Sequence, residues 1–454
     1  MAAAAAVMPA RMNKPRMDHR FVIWMLCVWA GWPLLKLANI QLLEGFLLLH
    51  MAYLLLRWMA RGFTIPVAGL WRQPGKWQGL VMLCIVLVSM SSVLQPRYPP
   101  IHGTYFLSVP GLVVVMRLTE LGLCVFYGFY AAELMRRDSK LREYAMKCYV
   151  WSAVVSAWIV FACFPLYQFA HIEILVYGDN RGRGGFTEGG PWGMYLVTAA
   201  IVARILTVRK EFTHRQAVFV FFTMAGAFLA ARSKSSAALA TLILLVGIFW
   251  KSDWRQKITS LIGIGLVATA FWFLLDVPAW WQESKKVRLM AEVMVQNDPA
   301  NPNVAYGRIA AAVIVPRMIA AHPLLGIGFG HYSVMRNDPE YLGIMYPVEG
   351  YDLPGLGVVS MAAELGIPCL VALFMMMLYP AYWANKTGAH RLVFSLALAQ
   401  PLVTLLGANV TFIYPWLISG FALSFMPLQK KAMLAPRRVI RRLPAGSQRP
   451  APAG

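Results

Sequence analysis

Twelve long apolar segments are the feature of this sequence that most limits its fold. A bilayer is spanned by about 20 apolar helical residues, and the segments approach or reach that length. The sequence therefore predicts an all-α polytopic integral membrane protein with about 12 transmembrane helices. Windows of about 19 residues place the segments near residues 21–40, 42–58, 78–95, 107–134, 145–167, 191–207, 216–231, 235–250, 258–275, 353–378, 391–408 and 411–428.

Composition supports this class. Hydrophobic residues make up 59% of the 454 residues and charged residues only 14%, whereas soluble domains have about 45–50% and about 25%. A free-standing soluble enzyme is excluded. The six cysteines fall inside apolar segments, without paired spacing or companion histidines, which favours buried thiols over disulfides or a zinc site.

The net charge of +22 follows a topological pattern. Most basic residues fall in short loops on one side of the twelve-span arrangement, so the positive-inside rule places both termini in the cytoplasm. The charge thus reports topology and contact with anionic lipid, not binding of nucleic acid. The predicted regions are a basic N-terminus (1–20), helices 1–9 (21–275), a periplasmic loop (276–352), helices 10–12 (353–428) and a basic cytoplasmic tail (429–454).

The segment 276–352 is too long for a simple connector, so we expect it to carry function. Its apolar periodicity predicts amphipathic helices over 283–295 and 303–321. The second of these contains Arg308 and Arg317, and the glycine-rich run 326–330 follows it. Glycine runs permit tight turns and close backbone approach.

Two basic clusters on the same outer side are candidate anion sites. Arg181 and Arg183 alternate with glycines in the loop 177–190, and arginine forks with exposed backbone N–H groups suit a phosphate or diphosphate. The alternative is a flexible solvated loop. Arg232 and Lys234 lie in a very short turn, against the positive-inside trend. They either bind an anion or snorkel at helix ends.

Several other charged residues have more than one possible role. Arg117 and Glu120 share a helix face and form either a structural pair or the lining of a polar cavity. His331, which directly follows the glycine run, and the carboxylates Glu349 and Asp352, where the loop re-enters the membrane, are the candidate general bases. Motifs for a metal or a nucleotide are absent from the sequence, so no cofactor and no metal is expected.

Four segments together resemble the bacterial O-antigen ligase and O-antigen polymerase superfamily. Arg308 followed by His322-Pro323-Leu324-Leu325-Gly326-Ile327-Gly328-Phe329-Gly330 resembles the "R…hPLLGxGxG" signature of that family. Met361-Ala362-Ala363-Glu364-Leu365-Gly366-Ile367-Pro368 resembles its "ElGipG" helix start. The segment 181–186 looks like its "RxxGxF" loop, and Ser233-Lys234-Ser235 looks like its "SRG/SKS" turn. The resemblance covers about residues 175–380.

The resemblance implies a metal-independent glycosyl transfer at the periplasmic face of the bacterial inner membrane. The donor would be an undecaprenyl-diphosphate-linked sugar chain. The acceptor would be lipid A–core for a ligase or a second lipid-linked glycan for a polymerase. Carried over by position, Arg181 and Arg183 would hold the diphosphate, with Arg232, Lys234 and Arg308 nearby.

One position departs from the family pattern. Many members have a His-Asn pair nine residues before the glutamate of the "ElGipG" start, where this chain has Gly355-Leu356. We therefore expect His331, Glu349 or Asp352 to act as the base, and we favour a polymerase-like or exopolysaccharide enzyme. A secondary transporter or lipid flippase is the alternative function, and a scaffold without chemistry is a third.

Overall fold

The computed structural model is predominantly helical. It describes residues 17–33, 36–37, 40–61, 74–92, 110–177, 180–186, 188–249, 308–343, 357–407 and 409–426, together with a few single positions. The helices are α1 (Met17–Trp29), α2 (Leu42–Arg61), α3 (Pro74–Ser92), α4 (Pro110–Arg137), α5 (Ser139–Ala170), α6 (Gly189–Val208), α7 (His214–Ala231), α8 (Lys234–Phe249), α9 (Arg308–Ala321), α10 (Tyr332–Met335), α11 (Pro339–Leu342), α12 (Val358–Lys386), α13 (Arg391–Leu405) and α14 (Ile413–Ser424).

Two short antiparallel ladders interrupt the helices in the described ranges. Strands β1 (Lys36–Leu37) and β2 (Ile40–Gln41) pair with each other, as do β3 (Val176–Tyr177) and β4 (Arg181–Gly182). The first ladder corrects the predicted span 21–40, because α1 ends at Trp29. Gly31 and Pro33 follow that end, and proline lacks the backbone N–H that a continuing helix needs.

Within the described part of the chain, five helices are long and apolar enough to cross a membrane, namely α4, α5, α6, α7 and α12. Shorter apolar helices accompany them. These helices confirm an all-α membrane protein. The count of twelve spans stays a prediction, and the ninth predicted segment, 258–275, lies almost entirely outside the described residues.

Close helix packing at the centre of the bundle depends on two glycines. A Cβ at Gly128 on α4 would lie 2.9 Å from Trp416 Cβ on α14, and a Cβ at Gly420 would lie 2.8 Å from Gly128 O. Small residues let helix backbones approach closely in membrane proteins, where van der Waals packing largely drives association. Trp416 fills the space beside this contact and donates its indole N–H to Val410 O at 2.8 Å.

The bundle has two ends. At one end, which we call the basic end, the α4–α5 and α6–α7 junctions meet the end of α14. Arg142 donates to Ser424 O at 2.8 Å, and Arg142 and Arg209 both lie over the Phe425 ring, at 4.4 and 5.5 Å. The opposite end, which we call the hairpin end, carries β3–β4 and the first turns of α4 and α6.

The segment after the predicted ninth span is partly helical, as expected. Helix α9 confirms that the predicted range 303–321 is helical from Arg308 onward, but its faces differ little in hydrophobicity, so its amphipathic character is not borne out. The predicted helix over 283–295 lies outside the described residues. A small apolar cluster joins α9 to the glycine run and to α12, with Ile314, Met318, Ile327 and Ala363 all buried. The membrane side on which this segment lies stays a prediction.

All six cysteines lie in described helices and are free thiols, which confirms that they do not form disulfides. Cys27, Cys124, Cys163 and Cys369 are buried. Cys84 is exposed on α3, so the expectation of burial is wrong there. Its position on the outer face of an apolar helix explains this, because such a face meets lipid in a membrane protein and needs no protein cover.

Candidate functional site

The arginine–glycine loop folds as a short hairpin between α5 and α6. Val176 faces Gly182 and Tyr177 faces Arg181 in the β3–β4 ladder. Asn180 adopts a left-handed φ of 54° at the turn, a conformation that asparagine tolerates better than most residues. The side chain of Arg181 is exposed at the edge of this hairpin.

Arg183 braces the hairpin. Its backbone N–H donates to Leu175 O at 2.9 Å. Its guanidinium donates to Ile174 O from Nε at 3.2 Å and from Nη2 at 2.8 Å, and lies 5.4 Å from the centroid of the Tyr177 ring. An arginine has five N–H donors, so this brace leaves Arg183 with a structural role beside any anion contact.

The glycines of the loop are packed against neighbouring helices. A Cβ at Gly184 would overlap the Trp192 indole, and one at Gly185 would lie 2.6 Å from Trp32 Cα. Phe186 is buried and makes edge contacts with Phe412 and Tyr414. The described part of the loop is therefore an ordered element of the bundle, which argues against the alternative of a flexible solvated loop.

The second basic cluster lies directly beside the hairpin. A Cβ at Gly189 would lie 2.6 Å from Ala231 O, and one at Gly190 would lie 3.6 Å from Ser233 Oγ. Glycine at 189 thus lets the start of α6 approach the α7–α8 turn, whereas a side chain at 190 would make only an ordinary contact with Ser233. The side chains of Arg232 and Lys234 in that turn are exposed. Together with Arg181 they give the hairpin end a cationic surface.

Arg232 has an unusual backbone conformation. It caps α7 with a left-handed φ of 45°, where glycine is the usual residue. The left-handed region costs a non-glycine residue about 1–2 kcal/mol. Residues held in such conformations cluster at functional sites, so an arginine at this position supports a functional role for this turn.

The glycine run and the helix start of α12 lock together through the backbone. Helix α12 is interrupted at Gly366, which has φ 71° and ψ 158°. Ile327 N donates to Ala363 O at 2.9 Å, Gly328 N donates to Glu364 O at 2.8 Å, and Ile367 N donates to Pro323 O at 2.9 Å. The loop thereby satisfies backbone groups that the helix break would leave unpaired.

This interlock requires glycine at two positions. A Cβ at Gly326 would overlap Glu364 O, and one at Gly366 would overlap Leu324 O. Both residues also have a positive φ. The two segments, 322–330 and 361–368, are therefore in direct contact, and their glycines are what allows it.

Glu364 is the centre of a partly buried polar cluster beside this interlock. Its carboxylate accepts the N–H of Tyr332 at 3.0 Å, accepts a second backbone N–H from Gly330 and interacts with the charge of Arg117. Arg117 in turn pairs with Glu120 at 3.0 Å. The structural-pair interpretation of Arg117 and Glu120 is thus confirmed, and the pair also borders a polar cluster.

The neighbouring loop holds further buried polar groups. Arg336 is only 1% exposed. Burial raises the pKa of Tyr332 to about 12, while the nearby charge of Arg336 acts in the opposite direction. Burial also raises the pKa of Tyr341 to about 12, and its hydroxyl hydrogen-bonds His322 Nε2 at 2.8 Å. Both tyrosines are therefore neutral at physiological pH.

The candidate bases are placed as follows. His331 is fully buried, and its Nδ1 lies 3.3 Å from Phe329 O. Glu349 and Asp352 lie outside the described residues. The backbone of Arg308 begins α9, and its side chain also lies outside what is described. In this conformation His331 is closed off from an acceptor, so a role as base requires local opening.

The hairpin and the glycine run lie toward the same end of the bundle. Phe186 contacts Phe412, and the adjacent Thr411 O accepts from Cys124 Sγ at 2.9 Å. Arg117 interacts with Glu364 beside the glycine run. It lies two turns nearer to the start of α4 than Cys124 does, about 10 Å along the helix. The structure therefore brings together Arg181, Arg183, Arg232 and Lys234, with His331 in a separate buried cluster toward the same end.

Sequence reasoning named Glu364 only as part of the 361–368 motif and as a charged residue near a span, and it missed Arg336 as a site candidate. A glutamate within an apolar spanning helix was the available signal, because ionisable residues at such positions are usually functional. Arg336 lies in a polar loop, where an arginine is ordinary, so the sequence did not mark it as a candidate. Among the described residues, histidine, cysteine and carboxylate side chains nowhere gather in groups of three that could hold a metal ion.

Comparison with known proteins adds no family assignment. Protein-family models give no match to the chain, and its sequence matches no curated protein. The fold and site define the class as an all-α membrane protein with a cationic hairpin end and an interrupted helix.

Proposed function

We propose that this chain is a bacterial inner-membrane glycosyltransferase acting on undecaprenyl-diphosphate-linked oligosaccharide. The sugar chain would be transferred or polymerised at the periplasmic face without a metal. The observation that carries the proposal is the contact between the Arg181 hairpin and the Arg232–Lys234 turn. Two loops distant in sequence thus present three exposed cations on one surface.

The chemistry explains why such a surface suits this reaction. When the glycosidic bond to the lipid diphosphate breaks, negative charge develops on the leaving diphosphate. Fixed guanidinium groups stabilise that charge where no metal does so. Arginine also matches phosphate oxygens with paired N–H donors, which lysine cannot do. Arg181 and Arg232 take this role, Lys234 adds a point charge, and Arg183 holds the hairpin in shape.

The acceptor hydroxyl must lose a proton as it attacks the sugar. His331, Glu349 and Asp352 are the proposed sources of the base, and Glu364 orients the loop that carries His331. Because the His-Asn pair of the resembled family is replaced by Gly355-Leu356, we favour a polymerase or exopolysaccharide enzyme over a lipid A–core ligase. In this topology the hairpin end faces the periplasm, while the basic end and both termini face the cytoplasm.

A secondary transporter or lipid flippase is the second candidate function. The break in α12 at Gly366 favours it, since transporters bind substrates and ions at interrupted helices. However, the carbonyls of Ala363 and Glu364 at the break already accept backbone N–H groups from the glycine run. Those oxygens are engaged in the fold, which favours the transferase.

The polysaccharide profile of a deletion strain tests the proposal. A polymerase predicts single repeat units in place of long polymer, and a ligase predicts uncapped core with accumulated lipid-linked polymer. Purified protein in proteoliposomes should then convert lipid-linked donor to a longer or transferred glycan. Movement of labelled lipid-linked sugar between leaflets without any new glycosidic bond would instead identify a flippase and exclude the transferase.

A further inference from the structure

A cavity lies among α6, α7, α8 and α13, apart from the proposed transfer site. Its volume is about 590 Å³, within the range of about 300–1,000 Å³ typical of ligand pockets. The walls are mainly apolar and include Phe221, Phe228, Ala240 and Ile243. Such a cavity suits a hydrocarbon chain.

Two arginines line one end of this cavity. Arg204 comes from the last turns of α6 and Arg391 from the first turn of α13. His390 lies beside them, and its pKa is lowered by burial and by the positive charges of Arg391 and Arg204. The positive end of the α13 dipole points to the same place. Like charges held together next to an apolar cavity match an anionic headgroup with an attached chain.

The arginine end is remote from the cationic hairpin. Gly189, at the start of α6, contacts Ala231 beside the hairpin, and Arg204 follows 15 residues later in the same helix. At about 1.5 Å per residue this is about 22 Å along the axis. The cavity end with Arg204 and Arg391 is therefore separate from the proposed diphosphate site.

We propose that this cavity binds one acyl chain of an anionic glycerophospholipid, with the lipid phosphate held between Arg204 and Arg391. Charge complementarity selects this occupant: the apolar wall takes the chain and the paired guanidinium groups take the phosphodiester. Basic pockets between transmembrane helices bind anionic lipid headgroups in the same manner. The lipid fills the gap among four helices and stabilises their packing. This inference is independent of the proposed transfer reaction.

Native mass spectrometry of the full chain in detergent tests the proposal. After delipidation, the protein is offered phosphatidylglycerol or phosphatidylcholine with the same acyl chains. We expect one phosphatidylglycerol per chain, retained at least about tenfold better than phosphatidylcholine, since a factor of ten needs only 1.4 kcal/mol of preference. The double variant Arg204→Ala/Arg391→Ala should lose this preference. Arg215→Ala, an exposed arginine near the start of α7, is the matched control and should keep it.

A second variant separates lipid binding from surface charge. Ala240→Phe narrows the cavity and leaves both arginines in place. It should abolish both the retention of phosphatidylglycerol and the rise in unfolding temperature that this lipid gives the wild type. Inorganic phosphate alone should give the wild type no such rise, because it lacks the acyl chain.

Three outcomes would overturn the proposal. Equal retention of both phospholipids would remove the role of the arginines. Undisturbed binding in Ala240→Phe would place the lipid outside the cavity. Undecaprenyl phosphate displacing phosphatidylglycerol at lower concentration would assign the cavity to a polyprenyl chain instead.

Discussion

The Tyr332 N–H donates a 3.0 Å hydrogen bond to Oε1 of Glu364, 32 residues further along the chain. This bond ties the loop after the glycine run to the interrupted start of α12. The same carboxyl group interacts with the charge of Arg117, which pairs with Glu120, so the bond belongs to a partly buried polar cluster. Glu364 therefore fixes where the loop carrying His331 lies.

Substitutions of Glu364 should weaken the attachment of that loop, and the effect should be larger when more acceptor oxygens are removed. Glu364→Ala leaves the partly buried N–H groups of Gly330 and Tyr332 without their acceptor, at a cost of up to about 1–3 kcal/mol each. Glu364→Gln keeps one acceptor oxygen and should cost less. Hydrogen exchange of residues 326–335 measures the difference. Equal protection in Glu364→Ala and wild type would show that the carboxylate does not hold the loop.

The glycine at the helix break should be intolerant of any side chain. In Gly366→Ala the new methyl group would overlap Leu324 O and lie 2.9 Å from Gly326 N, so the interlock must open. Gly388→Ala is a matched control, since Gly388 also has a positive φ, 63°, but nothing lies within 4 Å of a Cβ there. The control should cost only the conformational term of about 1–2 kcal/mol.

Thermal unfolding in detergent should then show a much larger loss for Gly366→Ala than for Gly388→Ala. Similar losses for the two variants would mean that the positive φ at Gly366, and not its contact with the glycine run, is what requires glycine at this position.

The hairpin end should lose donor turnover when its arginines are removed. Arg181→Ala should lower kcat/KM for lipid-linked donor by about 10²-fold, the effect of removing one donor that stabilises developing charge. Arg181→Lys should remain impaired, because lysine lacks the paired N–H geometry. Arg215→Ala at the opposite end should be normal. Wild-type turnover by Arg181→Ala would exclude the hairpin as the diphosphate site.

At Arg232, one substitution can remove the side-chain charge without lowering the stability of the fold. Arg232→Gly removes the guanidinium but relieves the left-handed backbone strain at φ 45°, so thermal stability should stay level or rise by up to about 1–2 kcal/mol. Donor turnover should nevertheless fall. If turnover and stability both stayed at or above the wild-type values, Arg232 would have no part in the reaction.

The general base should be identified by substitution and pH. A positioned base contributes about 10²–10⁴-fold, so one of His331→Asn, Glu349→Gln and Asp352→Asn should lose most activity while folding normally. A histidine base must be neutral to accept a proton, so it gives a rate that rises through about pH 6–7, whereas an ordinary carboxylate gives a flat rate there. Full activity in all three variants would remove these residues from the mechanism.

The proposed topology predicts the sidedness of reporter fusions. A periplasm-active reporter should be active after Asn301 and Asp338 and inactive after Lys210, because the basic loops stay in the cytoplasm. Expression of each fusion is controlled by immunoblot. An inactive fusion at Asp338 with normal expression would place the glycine run in the cytoplasm and contradict transfer at the periplasmic face.

Much of the fold followed from local properties of the chain. Apolar length alone predicted helices at eleven of the twelve segments, and only the ninth lies almost wholly outside the described residues. The sequence also predicted a helix over 303–321, and the structure is helical from Arg308 to Ala321. The first segment was predicted too long, because a hydropathy window averages over Gly31 and Pro33 and does not register that proline stops a helix.

The sequence by itself determined the membrane class, the positions of most helices and the free state of the cysteines, because these depend on composition and short-range pattern. Tertiary structure decided which distant residues meet. It placed the Arg232 turn beside the hairpin, made Arg183 a donor to Ile174 O within the hairpin, and joined the glycine run to the break at Gly366. These contacts depend on close backbone approach between segments far apart in sequence, and local pattern carries no information about such distances.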